Sequence, residues 1–215
     1  MRDILLGAVR ASLVMWVLCG LAYPLALTGL AQVLMPWQAN GSLQTDAQGR
    51  TVGSRLIGQR WDGPEWFHGR ASAITQPDPQ DPSKSVAAPY DPTNSGGSNL
   101  GPTSKGLAER LAADRAALEA AQPELAGRAL PSDMLTASAS GLDPDISPAN
   151  AALQIPRVAR ARGVPATDIE ALVAQHVAGR VLGVLGEPRV NVLALNLALE
   201  RAYPAARRVS VDVAE

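Results

Sequence analysis

The sequence predicts an α/β or α+β soluble domain carried behind one N-terminal transmembrane helix. Three observations lead there. No charged side chain occurs from Ala11 to Met35. Beyond Thr103, segments of helical period alternate with short β-branched runs such as Val190-Asn191-Val192. The 215 residues suffice for one ordinary domain plus an anchor, but not for two domains with separate cores.

The uncharged run comes first. At ~1.5 Å per residue it reaches about 37 Å, enough to cross a ~30 Å hydrocarbon core with some tilt. Its Leu and Val side chains each favour insertion by a few tenths of a kcal/mol, which outweighs Thr28 and Gln32. It is too long for a secretory signal core, and it contains no A-x-A cleavage pattern. Pro24 is expected to kink the helix, and Gly20, Pro24 and Gly29 to let a neighbouring helix approach closely. Arg2, Arg10 and the free amine precede the span, whereas residues 36–45 carry no Lys or Arg. The positive-inside rule therefore divides the chain into a cytoplasmic N-terminus (1–10), a transmembrane helix (11–35) and an extracytoplasmic domain (36–215).

In the domain, Asp46-Ala47-Gln48-Gly49 suits a turn between two short strands, 42–45 and 51–54. From Trp61 to Tyr90 five prolines and no stable period predict a long loop, pinned by Trp61, Trp66 and Phe67. Thr103 or Ser104 caps a helix running to about Gln122, where Pro123 ends it. Ser147 and Pro148 open a second helix, interrupted by Pro156 and stopped at Gly163. A third, from Thr167 or Asp168, places Ile169, Leu172, Val173, His176, Val177 and Val181 on one buried face. A strand at 190–192, a helix at 193–201 and an alternating strand at 209–213 complete the reading.

Composition excludes several chemistries. Nineteen Lys and Arg against 20 Asp and Glu leave no basic field for nucleic acid. The one cysteine, Cys19, lies in the apolar run, so the domain has no disulfide, thiolate nucleophile or zinc-type cluster. No G-x-x-x-x-G-K-[ST] loop exists, because Gly96-Gly97 is followed by Ser98 and Asn99. The two histidines, His68 and His176, have no metal-ligand spacing, and His176 is expected as a satisfied core residue. What stands out are four small, polar segments: 53–59, Phe67-His68-Gly69-Arg70, 95–102 and 138–148. Each suits plain turn chemistry; together they suit a recognition surface of backbone amides and short hydroxyls. An enzyme reading would make Ser140 the nucleophile and His68 the base of a membrane-tethered hydrolase of the envelope.

Read in order, these segments resemble the C subunit of Kdp-type potassium-transporting ATPases. The similarity runs through Tyr23-Pro24-Leu25, Thr28-Gly29, residues 38–42, Gly53-Ser54, Leu56-Ile57-Gly58-Gln59, Phe67-His68-Gly69-Arg70 and Ser95-Gly96-Gly97-Ser98-Asn99-Leu100-Gly101-Pro102. It continues in Ser138, Ser140-Gly141-Leu142-Asp143-Pro144, Ile146-Ser147-Pro148, Arg157-Val158-Ala159, Ala161-Arg162-Gly163, residues 190–193 and Leu195-Asn196. Met35, Ala71 and Asp145 depart from the pattern, which usually has Phe, Pro and His there. The resemblance implies an accessory subunit, without catalytic residues of its own, of a potassium pump. Its partners would be a potassium-translocating subunit, a P-type ATPase subunit and a small stabilising subunit. It also implies a catalytic chaperone that raises the ATP affinity of the hydrolysing subunit, with Ser138 and Ser140-Gly141-Leu142-Asp143 as nucleotide or partner contacts. Gly96, Gly97, Ser98, Asn99, His68 and Arg70 are the further interface candidates. ATP is cytoplasmic, however, and the charge pattern puts these residues on the other side; topology therefore favours indirect coupling over direct contact.

Overall fold

A computed structural model describes residues 1–205, and the chain divides into two compact units, Met1–Leu43 and Gln44–Glu215. The first is dominated by one continuous helix, Arg2–Leu34, long and apolar enough to cross a membrane, with a mean hydropathy of 2.1. It comprises α1 (Arg2–Met15), a π-helical stretch (Trp16–Ala22) and α2 (Tyr23–Leu34). The helix begins at Arg2, ahead of the uncharged run that starts at Ala11, because helical hydrogen bonding does not require an apolar side chain.

Pro24 acts through the π stretch. Proline lacks an N–H, and its ring presses on the carbonyl four residues earlier. The chain widens there: Tyr23 N–H donates to Leu18 O, five residues back. Gly20 and Gly29 leave open space where a Cβ would stand. Met35 breaks the helix, and a short turn, α3 (Pro36–Ala39), follows; Trp37 Nε1 donates to Leu43 O at 2.9 Å.

The hairpin read at residues 42–54 is present as β1 (Leu43–Thr45) paired with β2 (Thr51–Ser54). Asp46 Oδ1 accepts from the amides of Gln48 and Arg50, which holds the turn. The long loop is less irregular than expected. It contains an antiparallel hairpin, β3 (Thr75–Pro77) with β4 (Ser85–Ala87), in which Pro77 sits at the strand end, where a missing donor is tolerated. α4 (Lys105–Ala121) is capped by Ser104, whose side chain accepts from Leu107 N. No residue of α4 is fully buried, so the helix lies on the surface. A 3₁₀ turn (Pro123–Leu125) and α5 (Ser132–Leu135) lead on to β5 (Asp145–Ile146).

α6 (Pro148–Arg162) runs uninterrupted through Pro156, contrary to expectation. Pro156 and Ala152, whose carbonyl loses its helical partner, both lie on the exposed face of the helix, where an unpaired carbonyl is tolerated. The opposite face buries Ala151, Ile155, Val158 and Ala159. Gly163, at φ 68°, closes α6 with Val164 N bonded to Ala159 O at 3.1 Å. α7 (Ala166–Gln175) buries Ile169 and Val173 but ends before the rest of its expected stripe. His176 is a half-exposed C-cap with Nδ1 against Leu172 O at 2.8 Å, not a core residue, and Val177 and Val181 are exposed. The reason is that Val177 and Ala178 form β6, a strand edge that periodicity reads as more helix. β7 (Arg189–Asn191) lies between β5 and β6, antiparallel to both. α8 (Val192–Ala202) closes the core, in which Leu195 and Leu199 meet Ile146, Ile155, Val158, Ile169 and Val190. The mixed α and β class holds; the strand expected at 209–213 lies outside the described residues.

Candidate functional site

The segment Phe67-His68-Gly69-Arg70 is irregular backbone crossing the core, so its amides and carbonyls need partners other than a strand. Two buried side-chain amides supply them. Asn196, fully buried on α8, accepts from Phe67 N and donates to Phe67 O, each at 2.9 Å. Gln154, 3% exposed on α6, accepts from His68 N at 2.8 Å and donates to His68 O at 3.0 Å. Each amide thus does for one residue what a neighbouring strand would do.

Behind Gln154 the polar ladder continues. Its Nε2 also donates to Asn150 Oδ1, and Asn150 Nδ2 donates to Asp133 Oδ2. Arg157 donates to Gln154 Oε1 at 2.7 Å and to Pro64 O at 2.8 Å. Burial pulls the Arg157 pKa down to about 10. Burial, and after it the Arg157 cation, also lowers the pKa of His68, whose Nε2 lies 2.8 Å from Gly63 O. In that contact Nε2 donates, since the Gly63 carbonyl oxygen can only accept.

Four separate segments close on one another around this pinned strip. Arg70 pairs with Asp143 at 3.0 Å and reaches Thr136 Oγ1 and Ala137 O. Ser138 N donates to Ala71 O, Gly58 N to Leu142 O, and Gly96 N to Ser140 O, all between 2.8 and 3.0 Å. A Cβ on Gly58 would strike Asp143 O and the Tyr90 ring; one on Gly97 would lie 2.9 Å from Ala139 O. A Cβ on Gly141, which stands at φ 69°, would run into the Ile74 side chain and lie 2.9 Å from Gly96 O. Tyr90 donates its hydroxyl to Arg70 O at 2.6 Å; burial, then the Asp143 charge, pushes its pKa up to about 12. Beside this seam lies a cleft of about 460 Å³, lined by Arg60, Trp61, His68, Arg70 and Tyr90 among others.

The structure thus brings Gly96, Gly97, Ser138, Ser140, Gly141, Leu142, Asp143, His68 and Arg70 into one continuous region. Most of them are occupied in holding each other's backbone. Ser98, Asn99 and Ser140 are exposed at its surface. Ser140 Oγ accepts from Leu142 N, and His68 faces Gly63 and Arg157. Among the described residues no hydrogen bond joins Ser140 to His68, so the arrangement gives no support to a serine hydrolase. Gln154 and Asn150 escaped the sequence reading. Their signal was available: with Arg157 they form a polar stripe at i, i+4 and i+7 on an otherwise apolar helix face.

The family described as KdpC, K+-transporting ATPase, c chain, matches residues 5–201. A Rhodopseudomonas palustris protein named potassium-transporting ATPase KdpC subunit is 58% identical over 197 residues, 92% of this chain and 96% of that protein. Proteins of the same name from Bradyrhizobium diazoefficiens and Methylobacterium nodulans are 57% identical over 195 residues and 58% identical over 183 residues. They cover 91% and 85% of this chain, and 95% and 89% of their own lengths. The chain belongs to the KdpC family, the c chain of K+-transporting ATPases.

Proposed function

We propose that this chain is a non-catalytic assembly subunit of a potassium-transporting ATPase. It is held in the inner membrane by Arg2–Leu34, and its second unit stands outside the cytoplasm near the ion entrance of the translocating subunit. The observation that carries this reading is the seam just described: its polar groups are spent on rigidifying backbone, and what it leaves at the surface are small groups such as Ser98, Asn99 and Ser140. That is the chemistry of a docking face. The partners are the potassium-translocating subunit, the P-type ATPase subunit and a small stabilising subunit. Any effect on ATP affinity runs through the conformational equilibrium of the hydrolysing subunit, with no nucleotide bound at Ser140-Gly141-Leu142-Asp143. Gly20, Pro24 and Gly29 give a neighbouring transmembrane helix its close approach.

Affinity purification of the full chain from detergent extracts tests the assembly reading, since the pump subunits are expected to accompany it. A reporter fused after Gly41 tests the orientation. Activity of that fusion in the cytoplasm would reverse it and restore direct ATP contact.

A further inference from the structure

Between β6 and β7 the chain projects a tight hairpin whose construction is at odds with its surface. Val181 N donates to Leu185 O at 2.9 Å and Leu185 N to Val181 O at 3.0 Å. At its base Arg180 Nη2 donates to both carboxylate oxygens of Glu187 at 2.8 and 2.7 Å. Leu182 stands at φ 54°, a left-handed conformation rare for a branched side chain, and Gly183 follows at φ 77°. The backbone is therefore closed and tied. Yet the tip turns four aliphatic side chains to solvent: Val181 is 53% exposed, Leu182 87%, Val184 70% and Leu185 59%. With Gly183 between them they leave the tip without a polar side chain, and contiguous exposed apolar groups of this kind mark interaction sites. No structural demand of the fold calls for leucine at Leu182, where glycine or asparagine would relieve the backbone.

We propose that this hairpin is an anchoring knob whose aliphatic tip seats in an apolar pocket on another protein subunit of the potassium-transporting ATPase, an inference that rests on the assembly reading above. A protein pocket fits better than a bilayer. Interfacial anchors combine aliphatic groups with Trp, Tyr and free Lys or Arg. This tip has no aromatic residue, its flanking cation is neutralised by Glu187, and a carboxylate at the rim is adverse to an anionic lipid surface. The Arg180–Glu187 pair also asks no countercharge of the partner, so shape and apolar area set the fit. A preformed hairpin loses little conformational freedom on docking.

The test uses the full anchored chain in cells that make the pump. A photoreactive residue at Leu182 is expected to cross-link to one identified subunit of the ATPase; capture of lipid, or of a second copy of this chain, overturns the proposal. In parallel, Leu182→Asp combined with Val184→Asp is expected to lower the recovery of ATPase subunits in affinity purification at least tenfold. Both side chains point to solvent, so the fold is retained, and unchanged circular dichroism of the variant checks this. Recovery equal to that of the unmodified chain sinks the knob alone. If the unmodified chain recovers no ATPase subunit, the assembly reading fails and the proposal falls with it.

Discussion

Replacing Asn196 by alanine removes the partner of two buried backbone groups in one step. Phe67 N and Phe67 O each lie 2.9 Å from the Asn196 amide, and both residues are fully buried. A buried donor or acceptor left unpaired costs ~1–3 kcal/mol, so the pair together costs about 2–6 kcal/mol. Since a domain is stable by only ~5–15 kcal/mol, a loss of this size is large. The second unit buries its core without lipid, so a fragment starting at Gln44 is expected to fold and to be measurable in solution. Urea unfolding can be followed by the fluorescence of Trp61 and Trp66, whose ring centroids lie 4.9 Å apart at a tilt of 44° just before the pinned strip. With a mid-range slope of ~2 kcal/mol per M, the midpoint of Asn196→Ala is expected to fall by roughly 1–3 M. Amide exchange adds residue-level resolution. Phe67 N–H should lose protection, whereas His68 N–H, still held by Gln154, should lose much less. An unchanged midpoint, or a Phe67 amide as protected as before, would refute the idea that side-chain amides replace a strand here.

Three further outcomes are expected. Gly58→Ala forces a methyl against Asp143 O and Tyr90 and should destabilise by ~1–3 kcal/mol, while Gly96→Ala, which meets open space, should be neutral; equal effects would contradict the seam. The pKa of His68 is depressed from its ordinary 6.5, so its neutral form contributes stability that is complete above that value and is lost as pH falls through the folded pKa. Thermal melts of the unmodified chain should therefore weaken below about pH 6.5 by up to ~1.4 kcal/mol per pH unit more than those of His68→Gln, and parallel curves would exclude this origin. Replacing residues 11–35 with poly-leucine keeps the tether but removes helix packing, whereas deleting them while preserving export removes both. Growth on limiting potassium should fail without the tether, because linkage to the membrane plane is worth ~10²-fold or more in avidity; normal growth of both would rule out a role for the anchor.

Local chemistry was legible in the chain. The apolar run, the Asp46 turn, Ser104 and Ser147 as caps, and Gly163 as a stop are each decided within a few residues, by hydrophobicity, hydrogen-bonding reach or a left-handed φ. The same local reasoning failed at Pro156, where the exposure of one helix face set the outcome, and at Val177, where β7 captured residues of helical period into a strand. The two-residue strands β5 and β6 exist only through pairing with β7, and no window of sequence contains both partners.

The candidate site divides in the same way. The family and the long apolar helix could be read from ordered motifs and from the run without charged residues, because sequence carries both directly. What the small residues do could not be read, because Gly58 opposite Asp143, Gly97 opposite Ala139, and Asn196 on Phe67 are contacts between segments far apart along the chain. By itself the sequence determined where the chain is apolar, where it turns and which relatives it resembles. Only the tertiary structure decided that Gly58, Gly97 and Gly141 mark close approaches and that the buried amides of Asn196 and Gln154 stand in for a strand, since steric exclusion and the pairing of buried polar groups depend on neighbours that folding brings together.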